Sequence, residues 1–552
     1  MKKVYVSFCL LFTFYSEDSF AQTNNWIWAR SSVGTTASQS LGVSIKADNY
    51  GNVFITGQFH DPTIAFGSFT LTNSDQSQVT TDLFVAKYDS IGNVIWAKRA
   101  GGISFDCGWG VTTDLIGNLL VVGNFASSSI AFGSNILTNS STIYDMFIVK
   151  YATNGNVLWA KSAGGAGNEA ATSVTTDSVG NIYVAGYFYS SQITFGSFTL
   201  NNSGGQDAFV VKYDPSGNVI WAKSAGGANH DEFSSISTDG HANVFVTGQF
   251  QSPTINFATN VLTNTGNRDF MIAKYDSSGN VLWAKGAVGA QDEVGNSISA
   301  DIGGSSYVTG HFRSPTITFG NIILNNSGNQ DAFIVKYDEI GNVLWARSAI
   351  GAFNDEGYSA SIDLFGNVYI SGGFEFNDTI TFGSTTLVPP AGSTAPLFII
   401  KYDLNGNLLC ASALSGGGDS PNGVSADPFG NAYVVGDFWS NPFIIGFDSL
   451  LLSSQFDVFV AKYDCNNNVG MNELNNDTNI ALYPNPTNGI FNLDLENADG
   501  YIFIYNILGE IVLQSKINDT QIKFDLSNKP AGIYFVNVIS DSKNYSKKII
   551  KD

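Results

Sequence analysis

Histidine, cysteine and basic residues are scarce in this 552-residue chain, and each shortage narrows what the chain can do. The four histidines, His60, His230, His241 and His311, stand at no His-x-x-x-His spacing, so there is no helical zinc pair. Beyond the first segment there are three cysteines, Cys107, Cys410 and Cys465, with no Cys-x-x-Cys step. An odd count precludes a complete disulfide framework and the spacing offers no zinc set. It leaves Cys410 with Cys465 as a candidate bridge. Lysine and arginine total 26 against 47 aspartates and glutamates, a net charge of -21, so a nucleic-acid partner lacks the basic face it requires. Arginine is confined to Arg30, Arg99, Arg268, Arg313 and Arg347, and no Gly-x-Ser-x-Gly elbow occurs. No apolar run after the first segment is long enough to cross a membrane, and none shows sustained helical period.

What the chain has in abundance is repetition. A Gly-x-Phe step recurs at Gly57, Gly123, Gly186, Gly248, Gly310, Gly372 and Gly436. A Lys-Tyr-Asx end recurs at Lys87, Lys150, Lys212, Lys274, Lys336, Lys401 and Lys462, with Ala152 replacing Asp in the second. A Trp-Ala-Lys/Arg step recurs at Trp28, Trp96, Trp159, Trp221, Trp283 and Trp345, and Cys410 takes the seventh slot. The period of about sixty residues signals a repeat architecture. Each unit reads as about four short strands rich in Val, Ile, Phe and Tyr, bounded by Gly, Asn, Asp and Ser. The expectation is an all-β chain: a seven-bladed β-propeller whose blades stack because none buries both faces alone. The first six Lys-Tyr-Asx ends are each followed by a Trp-type strand. The seventh, at Asp464, is not, whereas Asn25-Trp-Ile-Trp28-Ala-Arg30 is unpaired at the start. That N-terminal strand is expected to complete the last blade and leave no open edge.

The Asp-x-x-Gly-Asn turns, such as Asp177 to Asn181 and Asp276 to Asn280, read as tight hairpins in which Asp caps and Gly supplies positive φ. They fall on one face. The opposite face receives the roughly twenty-residue stretch after Gly-x-Phe and the Gly-Gly loop between blades, which carries Asp106, Glu169, Asp231, Glu232, Asp292, Glu293, Asp355, Glu356 and Asp419. Binding is expected there, since function favours loops on a rigid scaffold. Asp231, Glu232, Asp292, Glu293, Asp355 and Glu356 are the candidate calcium ligands. The competing reading is that they solvate the surface or cap backbone N–H groups, because one or two acids per loop fall short of the six to eight oxygens calcium takes. Trp slots are assigned to packing between blades, with Trp109 and Trp439 off the repeat and better placed for exposed contacts. No catalytic set emerges, so the expectation is a binding protein and not an enzyme, with polysaccharide cleavage by a carboxylate pair as the enzymatic alternative. A structural surface-layer role is the other rival.

Residues 1–21 have the basic start, apolar stretch and Ser19-Phe20-Ala21 end of a signal peptide. Residues 22–465 are then the propeller, 466–479 an Asn-rich linker, and 480–552 a compact β segment of eight acids against seven lysines, expected to be an Ig-like sandwich. This tail closely resembles the type A C-terminal sorting domain of the Bacteroidota type IX secretion system. The likeness rests on Tyr483-Pro484-Asn485-Pro486-Thr-Asn-Gly489, Tyr505-Asn-Ile-Leu-Gly509-Glu510, Pro530-Ala-Gly532-Ile-Tyr534 and the basic end with Lys547 and Lys548. It implies export through the periplasm, partnership with the secretion machinery and its sorting protease, removal of the tail, and a cell-surface or secreted product. The repeats are similar to the SBBP class of propeller repeats through Asp-x-x-Gly-Asn-Val-Tyr-Val-x-Gly and Asp-Ala-Phe-Val-Val-Lys-Tyr-Asp. That supports the fold more than any activity. The expected role is capture of an extracellular polysaccharide or surface protein, in adhesion, with no cofactor other than calcium in view.

Overall fold

The computed structural model describes residues 25–35, 39–75, 79–376, 378–390, 393, 395–414, 423–465, 480–495, 501–506, 511–517, 519–539 and 544–552. The expected signal peptide and linker, Asp419 and Gly509 lie outside these. The described elements are all strands, and the main sheets are antiparallel.

Before the tail there are seven four-stranded sheets among the described residues. Sheet 4 shows the plan: Asp231–Thr238, Val244–Phe250, Asp269–Tyr275 and Val281–Gly286, hydrogen-bonded in that order. A small hairpin, Thr254–Phe257 with Asn260–Thr263, interrupts the second-to-third connection. Sheets 1, 2, 3, 5 and 6 begin at Ser40–Ala47, Asp106–Thr113, Glu169–Thr176, Glu293–Ala300 and Asp355–Ile362. Sheet 7 is made from both ends of the repeat region. Gly423–Ala426, Ala432–Phe438 and Asp457–Tyr463 are followed in space by Trp26–Ser31. Trp28 pairs with Lys462 across a bulge, the same register in which Trp96 pairs with Lys87 in sheet 1. The N-terminal strand therefore occupies the fourth place of a sheet whose other members come from the far end of the repeat region, Gly423 to Tyr463.

The third strands explain the most apolar runs of the sequence. Asp207–Tyr213 (Asp-Ala-Phe-Val-Val-Lys-Tyr) is buried at every position, as are its equivalents in sheets 1, 2, 4 and 5. Both faces of a sheet are covered, so alternation gives way to a continuous hydrophobic stretch. The core lies between sheets: Phe54, Leu83 and Val85 of sheet 1 pack with Val111, Leu119 and Val121 of sheet 2, and Tyr433 and Val460 of sheet 7 pack with Val53 and Phe84 of sheet 1. The first strand of each sheet contacts that of the next, and the last contacts the first. Among the described residues these first strands share no ladder, and adjacent sheets meet through single backbone bridges such as Gln206 with His230 and Gln330 with Asn354. Serine hydroxyls bridge instead: Ser173 Oγ accepts from Ile236 N, Ser235 Oγ from Ile298 N, Ser297 Oγ from Ala360 N and Ser425 Oγ from Ala47 N, at 3.0–3.3 Å. Edge N–H groups are thereby satisfied while the sheets remain free to diverge.

The tail forms two sheets. Three strands (Ile480–Tyr483, Ile490–Leu495, Gln521–Asp525) and four (Ile511–Lys516, Tyr501–Asn506, Gly532–Ile539, Asn544–Lys551) share one core that includes Phe491, Leu493, Ile504, Phe524, Val536 and Ile549.

Candidate functional site

The sheets have a turn end and a loop end. At the turn end each Asp closes its own hairpin. Asp177 Oδ1 accepts from Val179 N and Asn181 N (3.1 and 2.9 Å), and Oδ2 from Asn181 Nδ2 (2.8 Å). Gly180 takes φ 85°. With its oxygens filled by its own turn, such an Asp serves as the hairpin's cap. The Trp slot and the Lys of Lys-Tyr-Asp grip the neighbouring sheet together. Trp221 Nε1 and Lys212 Nζ both donate to Ser277 O, at 3.1 and 2.9 Å. The same pairing joins Trp283 and Lys274 to Glu339 O. In the seventh slot Cys410 forms a disulfide with Cys465, which stands one residue after Asp464 just as Ser277 stands after Asp276. A covalent bond, Cα–Cα 6.1 Å, replaces the indole contact at that junction.

The loop end is where repeats differ. Each first strand of sheets 1 to 6 carries a bulge, and the residue it ejects is Val43, Trp109, Thr172, Ser234, Asn296 or Tyr358. The bulge also accounts for the Gly of Gly-x-Phe. A Cβ on Gly57 or Gly248 would lie 1.9 or 2.0 Å from the carbonyl of Leu41 or Glu232. While Gly and Phe are fixed, the residue between them takes six identities in seven repeats: Gln58, Asn124, Tyr187, Gln249, His311, Gly373, Asp437. Bulges re-aim side chains beside functional sites.

These variable positions meet. Gln206 Nε2 and Gln249 Nε2 donate to the two oxygens of Glu232 at 2.7 and 2.6 Å. Glu356 Oε1 accepts from Asn296 Nδ2 (2.9 Å) and stands 3.0 Å from His311 Nδ1, while its Oε2 accepts from Gln330 Nε2 at 3.4 Å. Gln330 Oε1 accepts from Arg313 Nε (3.0 Å), and Arg313 and Arg268 both reach Asp292, at 3.6 and 3.0 Å. Burial pushes the Glu356 carboxyl up, but the His311, Asn296 and Gln330 contacts outweigh it and hold the group below the usual range. The Arg268 hydrogen bond does the same for Asp292 against its partial burial. Aromatic faces flank this network. Trp109 is 38% exposed, with Nε1 donating to Asn124 Oδ1 at 2.9 Å. Tyr187, Tyr189 and His230 form a ring cluster with centroids 5.5–6.1 Å apart. Trp439 packs edge-on against Phe456.

The six calcium candidates do not converge. Among the described residues no group of three or more His, Cys, Asp or Glu is placed to hold a metal ion. Asp231, Glu293 and Asp355 occupy one repeated slot at the start of their strands and are fully buried. Asp231 there latches the Gly-Gly loop: Gly227 N and Ser252 Oγ donate to Oδ2 (2.8 and 2.6 Å), Gln251 N and Ser252 N to Oδ1 (3.0 and 3.1 Å). Asp106 and Glu169 do likewise. This is the N–H-capping alternative. Glu232 belongs instead to a cluster with Gln206 and Gln249, and Asp292 and Glu356 to the one that runs through Arg313 and Gln330. The sequence reading missed Gln249, His311, Asn296, Gln330 and Tyr358; setting the seven repeats in register and asking which positions vary is the signal that finds them.

In the tail the sorting residues tie its ends together. Asn485 Nδ2 donates to Lys548 O and its Oδ1 accepts from Ile550 N, at 2.7 and 2.9 Å. Tyr483 OH reaches both oxygens of Asp494, and Tyr534 OH donates to Pro530 O. Gly489, at φ 124°, has Ser527 where a Cβ would stand. Pro484 and Pro486 follow cis peptide bonds. Gly532 opens the strand that pairs with the last one, and Lys548 in that last strand is exposed while Lys547 is partly so.

Residues 481–552 match the family model of a secretion system C-terminal sorting domain. The tail is a sorting domain. It marks the chain for export by the type IX secretion system to the cell surface or the medium. Residues 414–444 match the SBBP β-propeller repeat model. The chain is 26% identical over 346 residues to an uncharacterized WD repeat-containing protein of Acanthamoeba polyphaga mimivirus, covering 51% of this chain and 25% of that one. It is 35% identical over 74 residues to an ulvan lyase of Nonlabens ulvanivorans, covering 13% and 14%. The chain thus spans at most about a quarter of either relative. Among solved structures, Sqt1 from Chaetomium thermophilum aligns over 80% of this chain and 99% of its own at 8% identity, with a TM-score of 0.36. Among the described residues no helix is long and apolar enough to cross a membrane.

Proposed function

We propose that the seven sheets are the blades of a closed seven-bladed β-propeller sealed by Trp26–Ser31, that the tail is an Ig-like sandwich removed on export, and that the delivered protein captures polysaccharide at the loop end without chemistry. One observation carries the binding reading. The repeats hold their framework residues constant, yet their variable residues are polar and aromatic and form two clusters at that end, one around Glu232 and one running from Glu356 through Gln330 and Arg313 to Asp292. A framework needs no such variation; a non-repeating ligand does. Exposed Trp109 and the Tyr187–Tyr189 pair offer flat apolar faces, and the neighbouring amides and carboxylates offer planar donors and acceptors, the mixture that suits a sugar ring. Asp106, Glu293 and Asp355, three of the acids whose carboxyls burial raises, are fully buried and out of a substrate's reach, which favours binding over hydrolysis. The name of the ulvan lyase relative carries no activity to this chain, since the match covers 13% of it. The test is binding of the purified chain to a polysaccharide panel, comparing wild type with Trp109→Ala and Glu356→Gln. Saturable binding lost in both variants with unchanged melting supports the reading. Depolymerised substrate would favour the enzyme, and binding indifferent to both variants would move the site elsewhere.

A further inference from the structure

The slot held by Asp231 in sheet 4 is held by Asp355 in sheet 6, but its partners are gone. Asp355 is fully buried, and neither side-chain oxygen has a hydrogen-bond partner. The cause is one replacement. In sheet 5 Ser314 Oγ accepts from the loop amides of Ala290 and Gln291. In sheet 6 the equivalent amides, Ala352 and Phe353, donate to Asp378 Oδ2. A hydroxyl that elsewhere donates to the slot carboxylate has become a second carboxylate. A Cβ placed on Gly351 would stand 2.1 Å from Asp355 Oδ2 and 2.9 Å from Asp378 Oδ2, so both oxygens crowd the same side of that residue. Asp331 adds a buried oxygen, Oδ1, that also lacks a partner, its Oδ2 being taken by Ser327.

Two carboxylates facing each other away from water repel strongly, and a buried charge without a counter-ion is costly. Other junctions relieve this with amide and hydroxyl donors; here those donors are spent on Asp378 or absent. Burial, reinforced by Asp331, Asp378 and Glu375, drives the Asp355 carboxyl up to about 8. The loop above, Ala352 to Asn354, is exposed, so the site lies one chain thickness beneath the surface.

We propose that Asp355 and Asp378, two carboxylates without a third acid placed to join them, bind a hard divalent cation of the calcium type at the junction of sheets 5 and 6. Oxygen-only donors fit calcium and not zinc. Two carboxylates are fewer than a dedicated cage uses, so water and main-chain carbonyls supply the remaining ligands. The ion pins the loop from Gly351 to Asp355, the task that Ser252 and Asp231 perform without metal in sheet 4. The site stands apart from the polysaccharide reading, and its test does not depend on any glycan.

The purified chain, freed of metal with chelator at about pH 8, is titrated with calcium, magnesium and terbium, reading terbium luminescence and melting temperature. Wild type is expected to bind one ion per chain and to melt several degrees higher with calcium, because binding to the folded state alone stabilises it. Asp378→Ser, which restores the residue that sheets 2 to 5 carry there as Ser127, Ser190, Ser252 and Ser314, is expected to keep its fold and lose the ion. Asp355→Asn is expected to melt higher than wild type in chelator and to show no response to calcium. The proposal is overturned if wild type shows neither luminescence nor a melting shift, or if both variants respond as wild type does. In the first case a shared proton is what neutralises the pair, and the melting temperature of wild type then rises more than that of Asp355→Asn as pH is lowered.

Discussion

The two ends of each sheet are built from the same strands but use charge in opposite ways. At the turn end every Asp is occupied by its own hairpin, and Lys–Asp pairs such as Lys150–Asp114 (3.0 Å) and Lys401–Asp363 (3.1 Å) are buried and repeated. At the loop end buried carboxylates have N–H and hydroxyl partners or none, and the groups beside them change from sheet to sheet. Repetition therefore marks the end that holds the sheets together, and variation the end proposed above to meet a ligand.

Substitutions at the two ends should separate stability from binding. The largest stability effect is expected at the odd turn-end junction. Removing the disulfide with Cys410→Ser and Cys465→Ser should cost about 2–4 kcal/mol in chemical denaturation, and Cys410→Trp in the Cys465→Ser background should recover part of it by rebuilding the indole contact. An undiminished midpoint would mean that junction needs no tie. Next comes the turn itself. Asp177→Ala removes four hydrogen bonds, that from Tyr183 OH included, and leaves the Lys212 junction without its acid, an expected cost of about 1–3 kcal/mol with glycan binding untouched. Asp231→Asn is the loop-end counterpart: it keeps the shape but sets an amide N–H₂ against donors, at an expected cost of about 1–2 kcal/mol, opposite in sign to Asp355→Asn without calcium. Trp109→Ala should change stability by less than about 1 kcal/mol, given its exposure, yet weaken polysaccharide binding about tenfold or more.

The ends should also answer pH with opposite signs. Asp106, Glu293 and Asp355 are pushed by burial to about 6, 7 and 8. The folded state holds their protons more tightly than the unfolded chain, so in chelator stability should fall as pH rises from about 4 to about 8. The turn acids Asp89, Asp214 and Asp276 are held below the usual range by their own hairpin hydrogen bonds, which outweigh a small desolvation. Their contribution is present above about pH 4 and is lost below it. A melting profile flat between those limits in chelator would count against the loop-end assignment.

Several of these features were legible as strings. Asp-x-x-Gly-Asn specifies a hairpin because its side chain and positive φ act within five residues, and the third strands announce their double burial by unbroken hydrophobicity. The unpaired Trp26-Ile-Trp28 segment was readable as the missing member of the last unit because the repeat supplies its own template. The carboxylates were not legible in the same way. Asp231 and Asp355 occupy one slot and read alike, yet one is satisfied and the other stranded, because the deciding partner, Ser252 or Asp378, lies more than twenty residues away across a loop of variable length.

Local chemistry fixed the all-β class, the period, the turns and the sorting tail, since each depends on neighbours along the chain. Only the tertiary structure decided that Cys410 meets Cys465, that Glu356 and Asp292 join one polar network, and that Asp355 is left facing Asp378. Those outcomes depend on which side chains successive sheets bring face to face, and burial then sets the energy of each charge.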